Sequence, residues 1–469
     1  MFLSSLTRSR PNSWLLRLSA AGCLFLLGLA WGMHTQFGVE EIDRAETSFN
    51  LPLALAPASP HDWPGEFGST GHGDCPRARL PHEDLSAGQS TWRVPLVGPE
   101  VGGACLWGSL VMTPVLDPTT RSLALHAYTL DNGQLAWQVT LGKDLDLKPE
   151  LPRRAATPAC DGQSVFVSAV IDGRLRMFAV DLQGRLRWER DAGPMACEDG
   201  RLISPLLFES LVIVSAESRG DRLHRWQSTS HLTALHRLTG EIIYRVRRPP
   251  GDGFATPVLA TFRHGTQLII PSKGRLTAYD PRRGEPIWWS RWDAIQVANS
   301  IAWDDTTIYA GSGDPLPQLT AIRADGTGDV TNTHLAWQSS AAGSTTIAPV
   351  RHRDHIYALT EDGWLTALDA GTGKVLWRKS LAGSFVRSPI PAGDDLMCLN
   401  MQGAAYVLEL AQRGAAVFEL RLSPGIIAAP AATDRHLILR DRDGLVCRSW
   451  GDAETTPIVT APARPVKRL

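Results

Sequence analysis

The sequence lacks several patterns that mark common functional classes. No two of its seven cysteines have Cys-x-x-Cys spacing, so zinc ribbons, thioredoxin-type chemistry and c-type haem attachment have no support. The net charge is only -1, whereas binding nucleic acid through its phosphates needs a basic surface. No Gly-x-Ser-x-Gly motif accompanies a strand-to-helix turn, and no helical period of useful length follows residue 60. These absences favour an all-β protein without a nucleic-acid partner.

The first sixty residues differ in kind from the rest. Residues 18–39 contain no Asp, Glu, Lys or Arg, while arginines precede them and acidic residues follow. About twenty apolar residues can span a bilayer, and the positive flank stays cytoplasmic. We therefore predict a signal or anchor segment over 1–39, with the remainder on the periplasmic side, or secreted to the periplasm if the segment is cleaved. The Ala- and Pro-rich stretch 40–61 is predicted to be a flexible linker.

A short unit then recurs along the chain. Residues 365–377 read Leu-Thr-Ala-Leu-Asp-Ala-Gly-Thr-Gly-Lys-Val-Leu-Trp, which predicts two strands joined by a glycine-containing turn. Copies of the same length occupy 276–288 and 232–244, and looser copies occur elsewhere. Repeats of about 40 to 56 residues indicate a solenoid or a propeller. The copies end in large aromatic residues, which are Trp137, Trp188, Tyr244, Trp288, Trp337, Trp377 and Phe418.

The two ends of the repeat region complete each other. Residues 90–96 form a lone predicted strand that carries Trp92, and 429–450 supply the early strands of a last repeat without its outer strand. Pairing of these ends closes a ring and brings the number of aromatic anchors to eight. We predict an eight-bladed β-propeller of four-stranded antiparallel blades over 62–452, followed by a disordered tail over 453–469.

The eight aromatic anchors are interpreted as structural residues. A propeller needs one large side chain per blade to fill the wedge between neighbouring sheets, which explains their spacing better than ligand stacking does. Replacing one by Ala is expected to cost roughly 3 to 5 kcal/mol, as for other large-to-small core changes.

These repeats resemble those of the pyrroloquinoline-quinone-like (PQQ-like) β-propeller family. Residues 367–377 follow the family unit, which is Ala-Leu-Asp, two residues, Thr-Gly-Lys, two residues, Trp. The resemblance covers about residues 62 to 450. The family includes quinoprotein dehydrogenases and non-enzymatic propellers similar to the outer-membrane assembly lipoprotein. The opening Asp62-Trp63-Pro64 and the loop Gly313-Asp314-Pro315 are similar to those of exported planctomycete-type propellers.

The resemblance also indicates where a cofactor would bind. In the dehydrogenases, PQQ lies on the propeller axis over a disulfide between adjacent cysteines, beside a calcium ion. This sequence has no Cys-Cys dipeptide. Asp314 occupies the position of a calcium-binding Asn, and a carboxylate also suits calcium, but a Gly-Asp-Pro turn that holds an inserted loop is the favoured explanation. Asp304, Asp305 and Asp325 lie in ordinary turn contexts, so no catalytic base is assigned. No cofactor is expected, and PQQ with calcium belongs to the dehydrogenase alternative.

Cysteines and histidines give weaker signals. Six cysteines beyond the anchor allow 15 disulfide pairings, of which Cys160 with Cys197 is predicted because the two flank one repeat. His352 and His355 flank a turn where their side chains are expected to diverge, which disfavours metal binding. The longest insertion, 217–230, is either a recognition loop on a rigid ring or inert.

The favoured function is a membrane-tethered extracytoplasmic propeller that acts as a non-catalytic scaffold for other envelope proteins. The first alternative is a PQQ- and calcium-dependent quinoprotein dehydrogenase. The second is a small-ligand sensor domain that signals through the membrane segment. Only about seventeen residues precede the apolar segment, which is too few for a cytoplasmic domain and disfavours this alternative. The dehydrogenase requires a carboxylate cluster and a partner for a planar ring on the axis, whereas a scaffold does not.

Overall fold

The computed structural model describes only part of the chain. The described residues are 42–44, 54–78, 80, 91–98, 101–146, 155–195, 203–217, 230–249, 255–292, 301–312, 317–343, 347–414, 417–422 and 424–449. The predicted membrane segment and C-terminal tail both lie outside these ranges. Within these ranges, no helix has the length and apolar character needed to cross a bilayer.

Strands dominate the described residues. Two of them precede the first blade, β1 (Ile42–Arg44) and β2 (Trp92–Pro95). Blades 1 and 2 consist of β3 (Cys105–Trp107), β4 (Leu110–Asp117), β5 (Ser122–Thr129), β6 (Leu135–Gly142), β7 (Ala159–Cys160), β8 (Ser164–Ile171), β9 (Arg174–Asp181) and β10 (Leu186–Pro194). Blades 3 and 4 consist of β11 (Leu206–Phe208), β12 (Leu211–Ala216), β13 (His231–His236), β14 (Ile242–Arg247), β15 (Val258–Phe262), β16 (Gly265–Ser272), β17 (Arg275–Tyr279) and β18 (Pro286–Arg291).

The second half of the chain continues the pattern. Blades 5 and 6 consist of β19 (Ala302–Trp303), β20 (Thr307–Ser312), β21 (Gln318–Arg323), β23 (Leu335–Ser339), β24 (Val350–His352), β25 (His355–Leu359), β26 (Trp364–Asp369) and β27 (Val375–Ser380), and β22 (Gly328–Asp329) precedes β23. Blades 7 and 8 consist of β28 (Ile390–Ala392), β29 (Asp395–Leu399), β30 (Ala404–Glu409), β31 (Val417–Arg421), β32 (Ala431–Ala432), β33 (His436–Arg440) and β34 (Gly444–Ser449). These eight sheets confirm the predicted eight-bladed propeller.

Burial changes across each blade. The second strand of blade 3 is buried at all six residues, whereas the fourth strand of blade 6 is exposed or half-buried throughout. First strands of successive blades contact one another, so they surround the ring axis. Second strands are covered on both faces by neighbouring blades, which is why segments such as Leu211–Ala216 are almost continuous apolar runs.

The ring closes through its two ends, as predicted. Strand β2 pairs antiparallel with β34, with Trp92 opposite Cys447 and Pro95 opposite Gly444. A Cβ at Gly444 would lie 2.3 Å from the Val94 carbonyl oxygen, so this close approach requires glycine. The fourth strand of blade 8 therefore comes from the N-terminal side of the chain.

The repeated hairpin also forms as predicted. Ala367 lies opposite Trp377, with a bulge before the turn. The Asp369 carboxylate accepts hydrogen bonds from the Thr372 amide at 2.9 Å and from its hydroxyl at 2.6 Å. This Asx-type turn explains why Asp and Thr recur in the unit.

Two blades carry a fifth strand that the repeats do not predict. Strand β1 pairs antiparallel with the outer edge of β14, with Ile42 opposite Val246. Residues 42–44 of the predicted linker therefore form a strand of the blade 3 sheet. Strand β22 comes from the insertion of repeat 5 and pairs parallel with β18, with Trp288 opposite Gly328. Both additions cover backbone groups that an edge strand leaves unpaired.

Residues 54–78, here called the strap, cross the axial edges of the blades. Trp63 exchanges backbone hydrogen bonds of 2.8 Å with Leu106 of β3, and Cys75 forms a parallel bridge to Ala392 of β28. Trp63 is 3% exposed, so the strap contributes to the core.

The strap contacts five further blades. The Pro64 carbonyl accepts from the Cys160 amide at 2.7 Å in blade 2, and the Ala54 carbonyl accepts from Arg237 at 2.8 Å in blade 3. The Glu66 carboxylate accepts from the Thr256 hydroxyl at 2.6 Å just before blade 4, the His72 ring stacks 4.1 Å from Trp303 in blade 5, and His61 lies 2.7 Å from Asp434 in blade 8. One segment thus links most of the ring.

Candidate functional site

Most of the aromatic anchors lie on a turn glycine of the next blade. A Cβ on these glycines would approach the aromatic ring to between 2.5 and 3.0 Å. The pairs are Trp92 with Gly133, Trp137 with Gly184, Trp188 with Gly240, Tyr244 with Gly284, Trp337 with Gly373 and Trp377 with Gly414. Trp288 instead donates to the Gln267 side chain at 3.0 Å, and Phe418 packs against the blade 8 core. Six of the eight side chains therefore form contacts between blades, and Trp337 also lines the cleft described below.

Strand alternation assigns each connection to one end of the ring. The turn end holds the connections between first and second strands and between third and fourth strands. The loop end holds the connections between second and third strands and those between blades. Insertion 217–230 joins β12 to β13, and residues 313–317 join β20 to β21, so the ends of both connections lie at the loop end. Most of the strap's contacts lie at the turn end.

Arg248 contacts both ends of the 217–230 insertion, through its buried guanidinium at one end and its backbone amide at the other. Arg248 is 3% exposed and forms an ion pair with Glu217, while its backbone amide donates to the Ser230 carbonyl at 2.9 Å. Its Nε donates to the Tyr279 hydroxyl at 3.1 Å and its Nη2 to Ser272 at 2.8 Å. The insertion therefore starts and ends on a rigid polar network between blades 3 and 4, which suits a loop that presents a binding surface.

The histidines around the insertion do not form a surface site. His231 and His236 belong to β13 and are 4% and 8% exposed. Burial lowers the pKa of His236, with Glu241 opposing and Arg237 adding to the effect. His224 lies outside the described residues.

An acidic cleft of about 440 Å³ opens at the turn end between blades 5 and 6. Asp304 and Asp305 come from blade 5, and Asp354 and Asp369 come from blade 6. The sequence drew attention to the first pair as turn residues. It identified Asp369 only as part of the repeated turn and did not single out Asp354, and only the packing of one blade on the next brings the two pairs together. Asp325 lies elsewhere, 64% exposed and 3.6 Å from His334.

Asp304 is a poor candidate for a catalytic base. Burial alone would raise its pKa, but hydrogen bonds from the Tyr309 hydroxyl at 2.6 Å and from the Thr306 and Thr307 amides at 2.8 Å hold it below the usual value. A carboxylate so bonded stays ionised and resists protonation. Arg351 also lines the cleft, with its Nε 4.0 Å from the Asp304 carboxylate, so the cleft contains charges of both signs. Asp304 itself does not act as a proton acceptor at neutral pH.

The described residues do not assemble a metal site. No group of three or more His, Cys, Asp or Glu side chains among them is placed to hold an ion. His352 and His355 lie opposite each other in the β24–β25 hairpin, so the expectation that they diverge was wrong, because paired positions share a face of the sheet. Asp314 lies outside the described residues, and its role in calcium binding stays a prediction.

The described cysteines are buried thiols. They are Cys75, Cys105, Cys160, Cys398 and Cys447. Burial raises the pKa of Cys160 and of Cys447 to about 12, so both thiols are protonated and unreactive at neutral pH. Cys197 lies outside the described residues, and its pairing with Cys160 stays a prediction.

Comparison with known proteins agrees with this architecture. The sequence model of the family described as "Outer membrane protein assembly factor BamB" matches residues 121–316 and 327–412. The chain belongs to this family. Its repeats are PQQ-like, as predicted from residues 367–377. Among curated proteins, none matches the sequence.

Solved structures share the fold at low identity. BamB from Moraxella catarrhalis is 17% identical, with a TM-score of 0.54 that covers 76% of this chain and 98% of that one. The computationally designed Ika8 protein is 12% identical, with a TM-score of 0.50 that covers 77% of this chain and 100% of that one. A europium-containing methanol dehydrogenase is 12% identical, with a TM-score of 0.48 that covers 74% of this chain and 89% of that one.

Proposed function

We propose that this propeller is a non-catalytic scaffold that binds other proteins of the cell envelope on its extracytoplasmic side. The observation that carries the proposal is the insertion at 217–230, whose two ends are fixed by the buried Arg248 network. A long insertion built on a rigid base is the usual form of a propeller binding loop. The membrane segment predicted over 18–39 would tether the ring.

Two further features support a scaffold. The family is that of an outer-membrane protein assembly factor, and its members act on other envelope proteins by that description. The strap lies across the first strands of the ring, so one end of the axis is used for stabilising contacts. Partner binding then falls to the loop end and the rim.

Replacement of the insertion tests the proposal. A variant in which a short Gly-Ser linker replaces residues 218–229 keeps Glu217 and Ser230, so the ring should fold with unchanged thermal unfolding. In cells of the source organism, crosslinking of the intact protein should give adducts with envelope proteins that the linker variant loses. The matched control removes an exposed pair at the turn end, Arg353→Ala with Asp394→Ala, whose side chains are 69% and 71% exposed. Adducts that persist in the linker variant would contradict binding through the insertion.

The dehydrogenase alternative has its own measurement. Calorimetric titration of PQQ and calcium into detergent-solubilised full-length protein should give no saturable heat and no change in melting. Saturable micromolar binding that Asp314→Ala abolishes would replace the scaffold proposal with the enzyme. Full-length protein is needed because truncation near His61 would remove β1 and the contact of Ala54 with Arg237.

A further inference from the structure

The seam where the ring closes contains a fully buried arginine. Arg440 ends β33 in blade 8 and is 1% exposed. Its Nη2 donates to the carbonyl oxygens of Val97 and Gly98, at 3.4 and 3.0 Å, just beyond the closing strand β2. Its Nε and Nη1 are buried, and no described group accepts a hydrogen bond from either. Two donors of a charged side chain are therefore unsatisfied at this seam.

The nearest carboxylate is already occupied. Asp441 accepts two hydrogen bonds from Arg93, at 2.8 and 2.9 Å, and its Oδ1 also accepts from the amides of Asp443 and Gly444. No hydrogen bond joins it to Arg440 among the contacts of the described residues. Asp441 is therefore paired with Arg93, and Arg440 has no hydrogen-bonded counter-charge among the described residues.

The neighbouring titratable groups do not supply negative charge. His126 and Tyr128 of β5 lie within electrostatic range of Arg440 and are hydrogen bonded to each other at 2.8 Å. Burial and the arginine lower the pKa of His126 to about 4, and burial raises the pKa of Tyr128 to about 12. Both are neutral at pH 7. The described part of the seam therefore carries an excess positive charge.

An excess buried charge is costly unless it is paired. A water molecule could accept the free hydrogen bonds of Arg440 but would leave the charge uncompensated. A small anion does both. We propose that the closure seam binds a monovalent inorganic anion of the chloride type at Nε and Nη1 of Arg440. Because the same guanidinium holds Val97 and Gly98, the bound anion strengthens ring closure. This inference is independent of the proposed function.

Bromide locates the anion directly, because it replaces chloride and scatters anomalously. Crystals of the native protein grown in sodium bromide should show an anomalous peak within hydrogen-bond distance of Arg440. In solution, thermal unfolding should occur several degrees higher in sodium chloride or bromide than in sodium gluconate of equal ionic strength, since the larger anion does not fit a buried site. Arg440→Met should abolish that difference. Arg435→Met, one residue before the same strand and 71% exposed, should keep it.

Two results would overturn the proposal. Absence of the bromide peak, together with equal melting in all three salts, would mean that water satisfies Arg440. Glu100 follows Gly98 by two positions in the sequence, lies outside the described residues, and is a candidate counter-ion that can be tested. If the melting temperature of the native protein does not depend on the anion and that of Glu100→Gln does, the Glu100 carboxylate is the counter-ion. The crystallographic measurement uses native protein, so it decides the matter even if the Arg440 variant does not fold.

Discussion

Substitution of Gly373 by Ala measures how one blade is locked to the next. Gly373 has φ of +68° in the turn of blade 6, and an added Cβ would lie 2.5 Å from Trp337 Cε3. Gly274 offers a matched control, because its φ is +69° and no atom lies within 4 Å of its added Cβ. The two substitutions share the backbone penalty and differ in the aromatic contact.

The contact should dominate the cost. Placing Ala in the left-handed region costs about 1 to 2 kcal/mol at either position. At Gly373 the overpacking adds about 1 to 3 kcal/mol. Displacement of Trp337 also breaks its Nε1–H hydrogen bond to the Ala370 carbonyl, which is 2.9 Å long and worth about 0.5 to 1.5 kcal/mol. Gly373→Ala should therefore destabilise the protein by about 3 to 6 kcal/mol, against about 1 to 2 for Gly274→Ala.

Urea unfolding followed by tryptophan fluorescence gives both values from the shift of the midpoint. A double-mutant cycle with Trp337→Ala tests the cause, since without the indole the penalty at Gly373 should fall to that at Gly274. Equal costs for Gly373→Ala and Gly274→Ala in the presence of Trp337 would refute the idea that turn glycines exist to receive the preceding blade's aromatic residue.

Three further predictions concern the strap, the insertion and pH. Trp63→Ala should lower the free energy of unfolding, measured in urea, by about 3 to 5 kcal/mol, whereas exposed His61→Ala should change it little. If Trp63→Ala changes it as little as His61→Ala does, the strap is dispensable for stability. Glu217→Gln should cost about 3 to 5 kcal/mol because it leaves Arg248 buried without its counter-charge, and a loss below 1 kcal/mol would place the arginine in contact with water. His126 has a folded pKa of about 4, below its unfolded value near 6.5, so its contribution is fully present above pH 6.5 and is lost as the pH falls towards 4. That loss is at most about 3 kcal/mol, and His126→Gln should show a flatter stability profile between pH 6.5 and 4.

The fold could be predicted because its signals are local and repeated. The unit at 365–377 contains its own strand alternation, its Asx turn and its aromatic residue. Ring closure could be predicted by counting strands, since the strand at Trp92 had no hairpin of its own and the last repeat had no outer strand. The structure pairs these two fragments in register.

The strap and the acidic cleft could not be predicted from the sequence. Asp304 and Asp369 are 65 positions apart in the numbering and meet only because blade 6 packs on blade 5. The strap has no period, and several of its contacts use backbone groups such as those of Trp63 and Cys75, which leave no pattern of residue types. Contacts made by the main chain are invisible to motif analysis.

The different roles of the two ends of the ring follow from the antiparallel order of the four strands in each blade. In a four-stranded antiparallel blade, second-to-third connections always reach the end opposite to the third-to-fourth turns. Most of those turns carry the glycines that receive the aromatic anchors, so an insertion there would displace a blade contact. In blade 5 an insertion that contains β22 does occupy this connection, and there Trp288 of the preceding blade donates to Gln267 instead of packing on a turn glycine. Insertions such as 217–230 are tolerated at the loop end because no anchor depends on it. The repeat therefore constrains one end of the ring and leaves the other free to acquire binding loops, which is where the proposed scaffold function is placed.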